Sequence, residues 1–341
     1  MESQKQQYTI DDIKEVMQFE VDKKCIRASA LLKDGRLALM KTDTSIHIYN
    51  PKNNFKEDCS TQSGTIPEDF KKNYEGSLCI LENGNLLSFY CTDVIDIYSI
   101  TDNSITKIHS ISISPYIANR QCGIFLEPLS KNRFAFSVYS KNEEKKTFIL
   151  YIWKGESPYQ NKPINQIETQ EIIESYYQIK GNNKLLVVLS PRNQVRFLDI
   201  EDDVELVDII SLDDTYDMCD FLQIDDNTLL IGQYKIDLEE NERERIFDSE
   251  KISDYFYYES SFEYYIKLRD NKILVTDGKR NDDYPPGVGP YIVYNLRLID
   301  PFKPINENLL GNKEMNLGHL MVIDQNTFIS YTNTTIKVFK Y

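Results

Sequence analysis

A short turn-and-strand phrase recurs seven times along this chain of 341 residues. In each copy an apolar residue precedes two or three residues that include Asp, Asn or Lys, then Gly or Asn, and then an apolar run. The copies span residues 32–37, 81–86, 129–134, 179–185, 224–229, 268–273 and 323–328. The second turn position holds Gly35, Gly84, Asn132, Asn183, Asn227, Asn271 and Asn326. Gly and Asn tolerate the left-handed backbone conformation of a tight hairpin, so the phrase predicts seven hairpins.

The spacing of the phrase predicts the architecture. Successive copies are 44 to 55 residues apart, which is the period of a four-stranded propeller blade with its loops. The run after each turn is apolar on both faces, as in a strand that is covered on both sides, whereas the next strand alternates and the outer strand is charged. We therefore predict an all-β fold, a seven-bladed β-propeller with four-stranded antiparallel blades.

The two ends of the chain are predicted to complete one blade. The last copy ends on its third strand, at residues 336–341, which leaves that blade one strand short. Residues 13–21 alternate in polarity, so we expect them to form the missing outer strand and to close the ring, which removes an open sheet edge. We predict a tail or a short capping helix begun at Thr9 for residues 1–12, and a single propeller domain for residues 13–341.

Several segments resemble the WD40 repeat family. Residues 43–49 and 333–339 are similar to the ending of that repeat, in which an acidic residue in a tight turn precedes a Ser/Thr-Ile-x-Val/Ile-Trp strand. Trp153, the chain's single Trp, stands at the family's aromatic position, and Gly318-His319 resembles its Gly-His pair. The match covers nearly the whole chain, but no Trp-Asp dipeptide occurs, and His319 would face Asn333 instead of Asp. The resemblance implies a WD40-like propeller and, by analogy, a non-enzymatic scaffold.

Composition narrows the set of partners. The 54 acidic and 39 basic side chains give a net charge of −15, which disfavours nucleic acid, and an electrostatically steered partner is expected to be basic. No stretch of eighteen apolar residues and no signal-peptide core occurs, so we expect neither membrane insertion nor secretion. The six cysteines are far apart and form no Cys-x-x-Cys pair, which predicts reduced cysteines and a cytoplasmic location.

The sequence contains no recognisable catalytic motif. Its three histidines fall in three different predicted blades, and no zinc-protease, nucleophile-elbow, P-loop or dinucleotide pattern is present. Acidic clusters at 213–217, 239–244 and 282–283 are typical of solvated loops. We therefore predict no enzyme activity, no catalytic residue, no metal site and no cofactor.

Long loops on one face of the propeller are the predicted interaction surface. In a WD40-like ring the second-to-third strand turns and the inter-blade loops share a face, which we call the loop face. The longest such turn is predicted at residues 276–290, where other copies use about four residues, and long loops on a rigid scaffold often carry recognition. The predicted partner-binding residues are Phe70, Tyr74, Tyr116, Arg120, Arg192, Arg280 and Tyr284.

Three functions remain open at the level of sequence. The first is an interaction scaffold or recognition module, either monomeric or part of a hetero-complex, that binds a protein or peptide on the loop face. The second is a structural subunit of a larger assembly, which should show an extensive apolar face. The third is a hydrolase or lyase that uses the central channel, which should show a cluster of buried carboxylates with shifted pKa values.

Overall fold

The computed structural model describes most of the chain. The described residues are 9–21, 26–62, 76–90, 93–117, 126–142, 145–170, 172–180, 184–190, 194–199, 206–211, 221–231, 234–240, 242–246, 262–268, 271–280, 292–303, 309–315, 317, 319–332 and 334–341. The chain divides into two compact units, one of Asp22–Asp213 and one of Met1–Val21 with Asp214–Tyr341. The single domain expected over residues 13–341 stays a prediction.

Within the described residues, 28 strands form seven four-stranded antiparallel sheets. Each sheet is one blade, and in six of them the four strands are consecutive in the chain. This arrangement confirms the predicted all-β, seven-bladed propeller. The strands are numbered β1 to β28 along the chain.

The unit of Asp22–Asp213 contains the first four blades. The first and second blades consist of β2 (Ile26–Leu31), β3 (Leu37–Lys41), β4 (Ile46–Asn50) and β5 (Lys56–Ser60), and of β6 (Ser77–Ile80), β7 (Leu86–Phe89), β8 (Val94–Ile100) and β9 (Ile105–Ser112). The third and fourth consist of β10 (Glu127–Leu129), β11 (Arg133–Asn142), β12 (Lys145–Lys154) and β13 (Asn165–Thr169), and of β14 (Ile172–Gln178), β15 (Lys184–Ser190), β16 (Gln194–Asp199) and β17 (Leu206–Ser211). A 3-10 helix at Pro51–Asn53 precedes β5, and one helical turn, α1 (Ser114–Ile117), follows β9.

The other unit contains the last three blades. The fifth and sixth consist of β18 (Phe221–Gln223), β19 (Thr228–Ile231), β20 (Tyr234–Asp237) and β21 (Glu242–Arg245), and of β22 (Phe262–Lys267), β23 (Ile273–Arg280), β24 (Ile292–Ile299) and β25 (Leu309–Met315). The seventh consists of β26 (His319–Asp324), β27 (Thr327–Tyr331), β28 (Thr335–Lys340) and, from the other end of the chain, β1 (Lys14–Glu20).

Burial decreases from the middle to the outer strands, as the apolar pattern predicts. Every residue of β3 and of β7 is buried, whereas exposed residues predominate in β9 and β1. The core lies between neighbouring blades because each sheet has two apolar faces to cover. Between the second and third blades it includes Phe134, Phe136 and Trp153, all of them fully buried.

The N-terminal strand completes the seventh blade, which confirms the predicted ring closure. β1 pairs with β28 antiparallel from Lys14, opposite Lys340, to Glu20, opposite Thr335. A 3-10 helix at Ile10–Asp12 precedes it, beginning after Thr9 as expected for a capping segment. Ile10 also packs against β25 of the sixth blade, so closely that a Cβ atom on Gly311 would lie 2.9 Å from its Cγ2 atom. The N-terminal segment therefore contacts both the sixth and the seventh blade. The sequence predicted the contact with the seventh blade but not the one with the sixth.

The prediction that the second turn position of each repeat has a left-handed backbone is confirmed only in part. Gly35, Gly84, Asn132 and Asn271 have φ values of 86°, 84°, 54° and 57°. Asn227 and Asn326 are described and do not have positive φ, so the expectation is wrong for these two turns. In both, an Asp two residues earlier accepts a hydrogen bond from the Asn backbone N–H, at 3.0 Å from Asp225 and 2.8 Å from Asp324. This side-chain bond stabilises the turn locally without a left-handed residue.

Candidate interaction surface

The predicted partner-binding residues lie on connections at one end of their own sheets. In an antiparallel four-stranded blade, the turn between the second and third strands and the links to the neighbouring blades leave the same end. Phe70, Tyr74, Tyr116 and Arg120 belong to links between blades, whereas Arg192, Arg280 and Tyr284 belong to or border second-to-third strand turns. Phe70, Tyr74, Arg120, Arg192 and Tyr284 lie outside the described residues, and of Arg280 only the backbone is described.

The connection between the second and third strands of the sixth blade is shorter than the turn predicted from the sequence. β23 continues to Arg280 and β24 begins at Ile292, with Arg280 opposite Ile292. Residues 276–280 are therefore strand, and the expected loop of 276–290 is corrected to a connection of residues 281–291. The hairpin extends because residues 292–296 offer backbone partners for every residue from 276 to 280. Arg280 is the last residue of its strand, at the base of this connection.

The second and third strands of the third blade also extend far toward this end of their sheet. β11 and β12 pair as far as Asn142, opposite Lys145, which leaves only residues 143–144 as the turn. The connection between these two strands is therefore two residues long.

Tyr116 is the one predicted residue whose side chain is described. It lies in α1, between the second and third blades, and is half-buried. Its ring meets Tyr151 at 5.0 Å and Trp153 at 5.2 Å between centroids, both edge-on, which is a favourable aromatic geometry. The Trp153 Nε1–H donates a hydrogen bond of 2.9 Å to the Gln160 carbonyl oxygen. Tyr116 is therefore anchored on the inter-blade core, and part of its ring stays accessible.

A buried arginine at the opposite end of the sheets joins the first two blades. The guanidinium of Arg36 lies 2.7 Å from the carboxylate of Asp34 and 3.6 Å from that of Asp58. It also donates to the carbonyl oxygens of Thr101 and Asp102, in the turn between β8 and β9, at 3.1 and 3.0 Å. Burial alone would raise the pKa of Asp34, but bonds from Arg36 outweigh it and the pKa is lowered.

Polar contacts also join the turns between the first and second strands of the first three blades. The Lys33 ammonium donates to the Glu82 carbonyl oxygen, and the Glu82 carboxylate accepts from the Lys131 backbone N–H at 2.6 Å. The Asn83 N–H donates to the Asn132 side-chain oxygen at 2.7 Å. Sequence reasoning missed these links, although the recurrence of polar residues 49 positions apart is a signal that could have found them. They give this end of the sheets a structural role.

The first strands of the second, third and fourth blades carry three titratable side chains, of which Cys79 and Tyr176 are buried and Glu127 is half-buried. Burial raises the pKa of Glu127 in β10 to about 8, although the backbone N–H of Gln178 donates to its carboxyl at 3.4 Å. Burial also raises the pKa values of Cys79 in β6 and of Tyr176 in β14. The Tyr176 hydroxyl accepts a hydrogen bond of 3.0 Å from the Ser137 backbone N–H. Glu127 is thus a half-buried carboxyl whose surroundings favour its protonated form.

The carboxylate cluster expected of a channel enzyme is not seen in the described part of the chain. Among its carboxyl groups with a shifted pKa, Glu127 alone is raised, whereas Asp34, Glu57 and Asp237 are lowered. The same residues contain no group of three or more His, Cys, Asp or Glu side chains with metal-binding geometry. Of the histidines, His47 lies in β4 and His109 in β9, in two different blades as predicted, and the His319 side chain is outside the described set.

Comparison with known proteins supports the fold. No family model matches the sequence, and no curated protein does. Among solved structures, the WD40 β-propeller domain of Doa1 is similar with a TM-score of 0.60 at 11% identity, over 96% of this chain and 97% of that one. The β-propeller domain of Cps50 (Swd1) from Myceliophteria thermophila is similar with a TM-score of 0.61 at 9% identity, over 96% and 99%. The chain therefore has the fold of WD40 β-propeller domains, which confirms the resemblance seen in its repeats.

Proposed function

We propose that this protein is a non-enzymatic interaction scaffold that binds a protein or peptide on its loop face. The observation that supports the proposal is the strand order, which puts the second-to-third strand turns and the links between blades at one end of each sheet. The candidate residues were chosen from these connections. The other end is occupied, in the first three blades, by the links of Arg36, Lys33 and Glu82 that hold blades together. Binding residues on loops above a rigid scaffold are a common arrangement in proteins.

The partner is proposed to be basic, because a net charge of −15 attracts cationic surfaces and slows the approach of polyanions. The arginines Arg120, Arg192 and Arg280 would then act as local hydrogen-bond donors within the contact, together with the aromatic anchors Phe70, Tyr74 and Tyr284. We propose that the partner is not a nucleic acid. In the described residues, no helix has the length and apolar character needed to cross a membrane.

The alternative role, as a structural subunit of a larger assembly, has less support because the described residues form no extensive apolar face. The exposed large apolar side chains among the described residues are Val16, Ile108, Ile164, Phe302 and Leu309. They belong to four different blades, and scattered apolar residues of this kind are normal for a protein surface.

The free thiols of Cys59 and Cys79 agree with the proposed cytoplasmic location.

The test is affinity capture from native extract with three proteins: the wild type, a variant whose residues 281–291 are replaced by a two-residue turn, and Phe302→Ser. Phe302 is an exposed aromatic in the same blade, at the opposite end of the sheet, and serves as the matched control. We expect a partner that is retained by wild type and Phe302→Ser and lost by the shortened variant, with all three proteins folded by circular dichroism. Equal capture by all three would contradict the assignment to this connection.

A further inference from the structure

The turn between β6 and β7 of the second blade contains the only Asn in the chain that precedes a Gly, in the pair Asn83-Gly84. Asn83 is exposed, and Gly84 has a φ of 84°. A Cβ atom on Gly84 would meet nothing within 4 Å, so the space around this residue is open. The pair therefore combines an accessible side-chain amide with a following backbone nitrogen that no neighbouring side chain covers.

The side chain of an Asn that precedes a Gly can react with the backbone. The Gly84 nitrogen gives up its hydrogen and forms a bond to Asn83 Cγ, while the bond from Cγ to the side-chain nitrogen breaks and ammonia leaves. Water then opens the resulting cyclic imide at either carbonyl carbon, which yields aspartate or isoaspartate. Water is the one co-reactant. A glycine favours the attack because it has no Cβ atom to hinder the approach.

Hydrogen bonds within the turn oppose this reaction in the folded protein. The Gly84 N–H donates to the Leu81 carbonyl oxygen at 2.9 Å, and the Asn83 Oδ1 atom accepts from the Asn85 N–H at 3.0 Å. The attacking nitrogen and the amide under attack are therefore each bonded to another partner. Because the nitrogen has to give up the hydrogen that Leu81 holds, the reaction requires a local opening of the turn.

Contacts with the third blade keep the turn closed. The Asn83 N–H donates to the Asn132 side-chain oxygen at 2.7 Å, and the Glu82 carboxylate accepts from the Lys131 N–H at 2.6 Å. The Asn132 side chain is itself fixed, because its amide nitrogen donates to the Glu156 carboxylate at 2.7 Å. Opening of the turn at Asn83 therefore breaks hydrogen bonds between the second and third blades.

We propose that Asn83 is a site of spontaneous deamidation whose rate is controlled by the contact between the second and third blades. The amide is protected while this contact is intact, and each opening exposes it to attack by the Gly84 nitrogen. The modification goes beyond the proposed scaffold function and does not depend on which partner the loop face binds.

Conversion of Asn83 weakens the contact that protects it. Both products carry a carboxylate in place of the amide, one residue from the carboxylate of Glu82, and like charges repel. Isoaspartate also inserts a methylene group into the backbone, which changes the spacing of the N–H groups that bond to Asn132 and Leu81. A converted molecule therefore joins these two blades less firmly than an unconverted one.

The test follows conversion of Asn83 at mildly alkaline pH, by mass spectrometry of the peptide that contains it, in the wild type, Asn132→Gly and Asn271→Gly. Asn132→Gly removes the acceptor of the Asn83 N–H and suits the left-handed backbone at that position, where φ is 54°. Asn271 is the matched control, because it occupies the same turn position in the sixth blade with a φ of 57°. We expect Asn132→Gly to convert about fivefold faster than the wild type, the factor by which loss of one hydrogen bond raises the open fraction. Asn271→Gly should convert at the wild-type rate.

Incubation in guanidinium chloride is a second measurement, which does not require the variants to fold. An unfolded chain has no turn, so all three proteins should convert at one rate, which is faster than that of the native wild type. Equal rates in native and unfolded wild type would show that the turn gives no protection. That result, equal native rates of Asn132→Gly and the wild type, or an Asn83 that stays unconverted in the unfolded chain would each overturn the proposal.

Discussion

Thr44 has a backbone conformation that β-branched residues seldom adopt. Its φ of 64° lies in the left-handed region, and the turn around it repeats the hydrogen bonds of the turn at Gly35. Lys41 N–H donates to the Ser45 carbonyl at 2.9 Å, as Leu32 N–H does to that of Arg36 at 2.8 Å. Thr44 thus occupies a position that favours Gly or Asn, and its backbone stores strain.

Replacing Thr44 with Asn should stabilise the protein by about 1 kcal/mol, because Asn tolerates the left-handed region without the entropy cost of Gly. The reverse change, Asn271→Thr at a φ of 57°, should destabilise by about the same amount. Urea denaturation of both variants checks the pair. A loss of stability in Thr44→Asn would show that contacts of the Thr side chain outweigh the strain.

Glu127 predicts a pH dependence of stability. Its pKa is raised from 4.5 in the unfolded chain to about 8 in the fold, so its favourable contribution is complete below pH 4.5 and is lost as the pH rises to 8. Glu127→Gln cannot ionise, and should be more stable than wild type by roughly 2–4 kcal/mol at pH 8.5 but not at pH 4.5. Denaturation at both pH values measures this difference. Parallel pH profiles of the two proteins would contradict a raised pKa for this carboxyl.

At the scale of elements, the N-terminal segment does more than add a strand. Ile13 is fully buried among residues of the sixth and seventh blades, including Leu296 and Phe339, and Val21 N–H donates to the Thr334 carbonyl at 2.7 Å. With Ile10 packed on β25, the segment spans two blades through three apolar anchors, Ile10, Ile13 and Val21. The edge of the seventh blade is thereby closed by the start of the chain.

Ile13→Ala should destabilise the protein by about 2–4 kcal/mol, because it opens a cavity in a fully buried site. Val16→Ala is the matched control in the strand that follows Ile13, since Val16 is 49% exposed, and it should change stability by less than about 0.5 kcal/mol. Thermal and urea denaturation of the two variants give the comparison. Equal effects would mean that the segment is not anchored through Ile13.

Elements with a local signal were predictable from sequence, and contacts between distant residues were not. The turn phrase, the burial of β3 and β7, and the alternation of β1 depend on neighbouring residues and appear in the structure. The Arg36 links and the packing of Ile10 on Gly311 join residues far apart in sequence, so no local pattern reveals them. The extension of β23 to Arg280 depends on pairing with β24. The sequence does not indicate this pairing, because residues 276–280 are polar and contain a glycine.

At the scale of the whole molecule, the fold is established and the binding surface is a proposal. The seven four-stranded blades and the similarity to WD40 propeller domains define the fold. Propellers serve many functions, so the fold alone does not select a partner. The candidate residues were placed on connections by the repeat pattern, and the structure adds Tyr116 and Arg280 as positions held at the base of those connections.

Hydrogen–deuterium exchange of the protein with and without its captured partner tests the scaffold account most directly. We predict that binding slows exchange in the connections that carry the candidate residues, at 61–76, 113–126, 191–193 and 281–291. The turns at the other end of the sheets, such as 32–36 and 81–85, should be unchanged. Protection confined to those opposite turns or to the outer strands would contradict binding on the loop face.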